Sequence, residues 1–411
     1  MFGKSNPRVV FLAAAAALGL LASQALAQTS DSAGWVTAWG TSQQGLGETK
    51  ITSATVRMIA RVTLAGDSVR IRLDNTFGTE PVTFGRAAIG PRIQGPAIAQ
   101  GLNKALTFGG KTSVTIPAGG SARSDALAFR VEAQQDLAVS LFVNGTNVAP
   151  SQHSGAVVTS YLTADNSGDR ALAEDGKPFT GKTTATFWLK SIDVHPYTPA
   201  TAIIAFGDSI TDGTCTTLDA HDRWEDIVAQ RFAMQTPILR SIVNEGIGGN
   251  TVTSAHVQPP PDSPPGMSRV ERDVLSHSGV SHVVLFMGTN DIRREVGAGE
   301  VIAGTKSIVT RIKAQGIKVI GVTIIPRHNR DPDSNSTGWG DAKTKIRNQV
   351  NEWVRTNAEF DGVIDFDKVV RSRSNPNLIE PAYNCGDGIH PSPAGYFQMG
   401  KSVNLGLFMS K

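Results

Sequence analysis

Two hydrophobic periodicities divide the chain. From Trp35 to about Val194 apolar and polar residues alternate in short runs broken by Gly, Pro, Asn and Asp, the period-two pattern of half-buried strands. Residues 68–73 put Val69, Ile71 and Leu73 on one face. Residues 126–133, 137–143, 156–162 and 183–194 repeat the pattern, and Ile116-Pro-Ala-Gly-Gly120 reads as a turn. Short strands with turns between them and no helical periodicity predict an all-β sandwich of jelly-roll kind over 35–195.

Past His195-Pro-Tyr-Thr-Pro199, a Pro-marked linker, strands alternate with longer helical stretches over 196–411. The predicted strands are 202–206, 238–244, 282–287, 318–324 and 363–366. Helices are predicted over 223–233, 301–314 and 342–357, with a closing helix from Ser392. Strands joined by helical crossovers predict a parallel, doubly wound α/β sheet of flavodoxin-like order, which binds ligands at the carboxyl ends of its strands. The Pro-rich stretch 258–266 is read as a connection rather than a rim of that site.

Length supports two folded units, since 411 residues exceed what one core organises. The amino terminus adds a processed segment. Lys4 and Arg8 precede an apolar run from Val9 to Leu21, and Ala25-Leu26-Ala27 gives a small-x-small cleavage site, so 1–27 reads as a signal peptide. The run stops short of the roughly 20 residues that span a bilayer, which predicts an exported protein, periplasmic or secreted, with no stable membrane anchor. A net charge of +3 with scattered Lys and Arg excludes a nucleic-acid footprint. In an exported chain the two cysteines, Cys215 and Cys385, invite a disulfide, with two buried free thiols as the alternative. A bond there ties together the two segments that carry the candidate chemistry.

The first of these segments is Gly207-Asp208-Ser209-Ile210-Thr211-Asp212-Gly213, directly after the first predicted strand of the α/β half. A serine there is weakly nucleophilic until a base takes its proton, and alone the segment is an ordinary turn or cap. Near the other end stands Asp387-Gly388-Ile389-His390-Pro391, where the carboxylate can hold the imidazole Nδ1 proton and leave Nε2 to deprotonate the serine. Of the eight histidines only His390 has this setting. His328 follows the fourth predicted strand and is read as a substrate-side or solvent residue. His153, His221, His256, His277 and His282 lack a motif, so surface or satisfied core roles are the default. Ester attack also needs donors for a developing oxyanion. Gly246-Ile247-Gly248-Gly249-Asn250-Thr251 and Gly288-Thr289-Asn290-Asp291, after the second and third strands, supply glycine backbone and a side-chain amide.

Together these four segments resemble the characteristic blocks of the GDSL/SGNH hydrolase family, over about residue 201 to the C-terminus. The resemblance implies a serine esterase with Ser209 as nucleophile and Asp387 with His390 as the charge-orienting and proton-transferring pair. Ser209 N–H, Gly249 N–H and the Asn290 amide would form the oxyanion hole, with Gly249 preferred over Gly248 because it directly precedes Asn250-Thr251. The first block reads Gly-Asp-Ser-Ile instead of Gly-Asp-Ser-Leu, an apolar swap. The β-rich front is similar to the N-terminal domain of an exported bacterial subgroup. Small acyl esters, acetylated sugars and lipids are all open as substrates, with short-chain acyl or acetylated carbohydrate esters, small or polymeric, expected first, and no cofactor or metal is implied. An α/β-hydrolase is disfavoured because the Gly-x-Ser-x-Gly elbow is absent and the acid stands only three residues before the histidine. A metal-dependent hydrolase lacks its His-x-His or His-Glu-x-x-His pattern. The reading from another class is a carbohydrate-binding module carrying an inactive hydrolase domain.

Overall fold

A computed structural model describes residues 34–253, 257, 261–328 and 338–409. The signal-peptide reading over 1–27, His256 and part of the 258–266 stretch lie outside the described residues.

Alternation dictates the first half. The strand Gly66–Asp74 belongs to a five-stranded antiparallel sheet with Val36–Gly40, Leu189–His195, Leu127–Val131 and Ser121–Arg123. A second sheet of eight strands is centred on Ala54–Val62, Gln135–Val143 and Val82–Gln94. A three-stranded sheet joins Thr186–Phe187, Ser151–His153 and Gly45–Leu46. Val69, Ile71 and Leu73 are fully buried in the same cluster as Val56, Met58, Leu137, Val139 and Leu141, so the two larger sheets share one core. Each such side chain contributes about 1.5–3 kcal/mol.

Two expected strands are shorter than the pattern suggests. Residues 156–162 reduce to Ser160–Leu162. Upstream of it Val157 has φ +52, its carbonyl accepts from Asp219 N, and Thr159 gives its N–H and hydroxyl to the Asp219 carboxylate. The segment 183–194 breaks at Trp188, φ +54, into Thr186–Phe187 and Leu189–His195, which pair in different sheets. The Trp188 indole is enclosed against Phe84 and Phe187, a packing demand that alternation does not register.

Pairing changes from antiparallel to parallel between His195 and Ala200. Five parallel strands lie in the order Leu239–Gly246, Ala200–Gly207, Val280–Phe286, Lys318–Val322, Gly362–Ile364. Counted along the chain this is 2-1-3-4-5, the doubly wound flavodoxin-like order. The run 202–206 is apolar throughout because both faces of a parallel sheet are covered. Ala202, Ile204 and Phe206 enter one cluster, and Ile203 and Ala205 enter the other. Helices Trp224–Gln235, Ala298–Lys313, Asp341–Thr356 and Pro393–Ser402 supply the cover. The expected strand over 363–366 ends at Ile364, because Asp365 caps the short helix Phe366–Val370 by accepting from Lys368 N.

The two halves are packed as one body. The larger cluster runs from Val36 to Phe360 without a break at the junction. Thr37 N donates to Ser278 O at 3.0 Å, and Ser241 Oγ donates to Thr37 O at 2.5 Å. Arg70, outward on its own strand, is buried with Asp193 at 3.0 Å because the α/β half covers that face. Among the described residues no helix is long and apolar enough to cross a membrane.

Candidate active site

The strand Ala200–Gly207 delivers its last residues to the carboxyl edge of the sheet. There Asp208 caps a single helical turn, Ser209–Asp212, by accepting from Ile210 N at 3.0 Å. Gly213, at φ +105, ends the turn and donates its N–H to Ser209 O at 3.0 Å, a left-handed position suited to glycine. Ser209 is thereby presented at the start of a helix, with its Oγ 2.9 Å from His390 Nε2.

His390 is held from behind. Its Nδ1 lies 2.6 Å from Asp387 Oδ2, while Asp387 Oδ1 accepts from Ile389 N at 2.8 Å and His390 N at 2.9 Å. Burial opposes the charge of Asp387, but these hydrogen bonds more than offset it and hold the carboxyl down at about 2. The turn itself is locked to the sheet. His328 N donates to Gly388 O at 2.8 Å, and a Cβ on Gly388, which has φ +74, would stand 1.8 Å from His328 O. His328 thus acts here through its backbone, and its side chain is exposed. Cys215 and Cys385 form a disulfide, joining the segment after Ser209 to the one before Asp387.

The other two segments reach the same edge. Gly248 N–H is spent on Asp212 Oδ2 at 2.9 Å, so the next donor along the loop is Gly249, whose φ of +71 admits glycine readily. Asn290 sits in the short helix Thr289–Arg293 after the third strand and is buried. One hydrogen of its amide goes to Asn250 O at 3.0 Å, which fixes the group and leaves the second to offer. The neighbouring Asp291 accepts from Val252 N, Thr253 N and Thr253 Oγ1, yet burial pushes its carboxyl up to about 6.

Three groups at this edge escape sequence reasoning. Arg269, fully buried, donates to Gly207 O, Glu245 O and Asn250 Oδ1 and stacks on Phe206, so it pins the ends of the first two strands and the glycine loop to each other. Its signal is faint: an Arg inside the apolar helical spacing of Met267, Val270 and Val274. Asp212 joins the Ser209 turn to the glycine loop, and His153 of the β half lies 3.0 Å from it. His277 is likewise a satisfied buried histidine, on Glu245 at 2.7 Å, whereas His282 and His221 are buried and held below the usual histidine range by burial. Among the described residues Cys215, Cys385 and Asp387 bring potential metal-ligand atoms within 4.8 Å of one another. Both sulfurs are spent in the disulfide, and Asp387 holds His390.

Residues 205–397 match the GDSL-like Lipase/Acylhydrolase family. The parallel-sheet domain belongs to that family. Three solved structures are similar to it. Est24, a carbohydrate acetylesterase from Sinorhizobium meliloti, is 19% identical, over 49% of this chain and 94% of its own, with a TM-score of 0.39. A GDSL-like lipase from Bacteroides thetaiotaomicron VPI-5482 is 18% identical over 51% of this chain and 88% of its own, TM-score 0.37. A member of the lipolytic protein G-D-S-L family from Veillonella parvula DSM 2008 is 23% identical over 49% of this chain and 96% of its own, TM-score 0.36. No curated protein matches the chain.

Within the GDSL domain the residue before Ser209 has a measurable signature. Burial pushes the Asp208 carboxyl up to about 7. An unfolded Asp releases its proton near pH 4, so between about 4 and 7 the folded state binds more protons and stability falls as pH rises. Asp208→Asn keeps the cap and removes this dependence. Its stability relative to wild type is expected to grow across that window, by up to about 1.4 kcal/mol per pH unit. Urea titrations at several pH values check this, and equal slopes for the two proteins would overturn the assignment.

Proposed function

We propose that the protein is an exported serine esterase that hydrolyses carboxylic esters through an acyl-enzyme on Ser209. The observation that carries the reading is the continuous chain Ser209 Oγ, His390, Asp387, with contacts of 2.9 and 2.6 Å. His390 Nε2 accepts the serine proton as Oγ attacks the carbonyl, and Asp387 stabilises the imidazolium that forms. The N–H groups of Ser209 and Gly249 and the free amide hydrogen of Asn290 receive the oxyanion. His390 then protonates the departing alcohol, and water repeats the sequence to release the acid. These steps use side chains and backbone alone.

Short-chain acyl or acetylated carbohydrate esters are the proposed substrate class. Support comes from a cavity of about 510 Å³ beside the Asp387 turn, lined by Arg327, His328, Asp341, Thr344, Asn375 and Asn377 together with Trp339 and Leu378. A lining in which polar side chains stand beside an aromatic ring suits a sugar alcohol better than a long acyl chain. The two large β sheets, with their shared core, are read as the faces of a sandwich that buttresses the hydrolase.

The test is hydrolysis of p-nitrophenyl esters from acetate to palmitate and of acetylated xylan. Cleavage is expected for acetate and butyrate and to fall off with chain length. Within that assay Asn290→Ala is expected to lower kcat about 10²- to 10³-fold with a smaller change in KM, because its donor acts on charge that develops in the transition state. A KM-only effect would remove Asn290 from the oxyanion hole.

A further inference from the structure

We propose that His153, contributed by the β half, is a positioning residue for the oxyanion loop of the GDSL domain and acts through Asp212. The proposal rests on the esterase reading, in which Gly249 N–H receives the oxyanion. His153 ends the strand Ser151–His153 and is 2% exposed. Its Nδ1 lies 2.9 Å from Ser42 O and its Nε2 lies 3.0 Å from Asp212 Oδ1. Both neighbours are acceptors, so both ring nitrogens donate and the ring is an imidazolium facing the Asp212 carboxylate. The second oxygen, Oδ2, accepts Gly248 N–H at 2.9 Å.

One carboxylate therefore spans three parts. It belongs to the turn that Ser209 opens, it fixes the N–H of Gly248, the residue immediately before Gly249, and it is itself held by a cation from the other half of the chain. Arg223 steadies the backbone of the same residue, donating from Nε to Asp212 O at 2.7 Å. The titratable and charged groups that line the small cavity together with His153 are Arg61, His221, Arg223, Glu225 and Asp226, of which burial keeps His221 below and Glu225 above their ordinary ranges. Burial opposes a charge on His153, but the Asp212 carboxylate and the hydrogen bonds outweigh it and hold the ring above the ordinary histidine value. Without His153, Asp212 keeps only the Gly248 contact on its carboxylate and is free to turn toward water, and the aim of Gly249 goes with it. A misplacement of about 1 Å in a catalytic group costs on the order of 10²-fold.

The experiment compares wild type, Ser209→Ala, His153→Ala, Asp212→Ala, Asp212→Asn and the double alanine variant on p-nitrophenyl acetate, with a melting curve for each. His153→Ala and Asp212→Ala are each expected to lower kcat about 10- to 100-fold with KM within about threefold. The double variant should lose no more than the worse single one. Asp212→Asn, which can still accept from Gly248 and donate to a neutral His153, recovers most of the loss. If His153→Ala does not fold, His153→Gln takes its place and is expected to lose at least about fivefold in kcat. A folded His153 variant with kcat within twofold of wild type, or losses that multiply in the double variant, overturns the proposal while leaving the esterase reading intact. A wild type no more active than Ser209→Ala removes both.

Discussion

Replacing Ser209 by alanine is expected to lower kcat on p-nitrophenyl acetate by about 10⁴- to 10⁶-fold, because the attacking oxygen is gone and water must take its place. The same substitution should leave the fold nearly untouched. Alanine gives up the hydrogen bond to His390 at 2.9 Å, the residue is small, and the turn around it is held by the Asp208 cap and the Gly213 N–H, not by Oγ. Stability in urea should change by less than about 1 kcal/mol. The combination matters more than either number, since a collapse of both activity and stability would mean that the serine is a structural cap. Single-turnover and steady-state assays with a denaturation curve check it.

The largest effect on stability is expected at Lys190. This residue lies in the β half with no exposure, and its Nζ donates to Thr41 O at 3.0 Å, Glu245 Oε2 at 2.7 Å and Asp273 Oδ1 at 2.9 Å. Glu245 also accepts from Ser42 Oγ and pairs with His277, and Asp273 pairs with Arg269 and Arg272. Burial disfavours both carboxylates, but Lys190 and the other cations outweigh it and hold Asp273 and Glu245 below the usual carboxylate range. Such groups stabilise above the unfolded carboxylate range near pH 4 and cease to do so as pH falls through their lower folded values. Lys190→Met leaves two buried carboxylates short of a cation and is expected to cost about 3–5 kcal/mol at neutral pH. Adding Glu245→Gln should recover part of that loss, because it removes one of the stranded charges. Chemical denaturation of the single and double variants reads the coupling, and an additive pair would show that the cluster is not a unit.

The two halves of the molecule were not equally legible from sequence. In the GDSL domain, crossover connections put every strand's carboxyl end on one edge, so motifs far apart in the chain converge by topology alone. That is why strand ends placed the segments of Ser209, Gly249 and Asn290 at one edge, whereas the choice of Gly249 and the pairing of Asp387 with His390, ahead of the closing helix, came from the resemblance to the GDSL/SGNH blocks. The apolar runs at 202–206 and 282–287 carried the strand positions for the same reason, since both faces are covered. Alternation in the β half identified the inward face of Gly66–Asp74 but not what lay on the other. A charged residue in an alternating strand reads as solvent-facing, yet Arg70 and Lys190 face the GDSL domain and are buried there. The Glu245 and Asp273 partners of Lys190, like the Asp212 partner of His153, are set by the docking of one half on the other, which no local pattern encodes. The same holds for residues 156–159, whose strand potential is overridden by Asp219 from the far side of the junction.

Covalent labelling distinguishes a Ser209 nucleophile activated by His390 from an inert serine. The protein is treated with a p-nitrophenyl alkylphosphonate, and its peptides are mapped by mass spectrometry. One stoichiometric adduct is expected, on Ser209, forming at least about 100-fold more slowly in the His390→Ala variant, in keeping with the share of rate that general base catalysis supplies. No adduct on the folded wild type, or an adduct on a different residue, would contradict it.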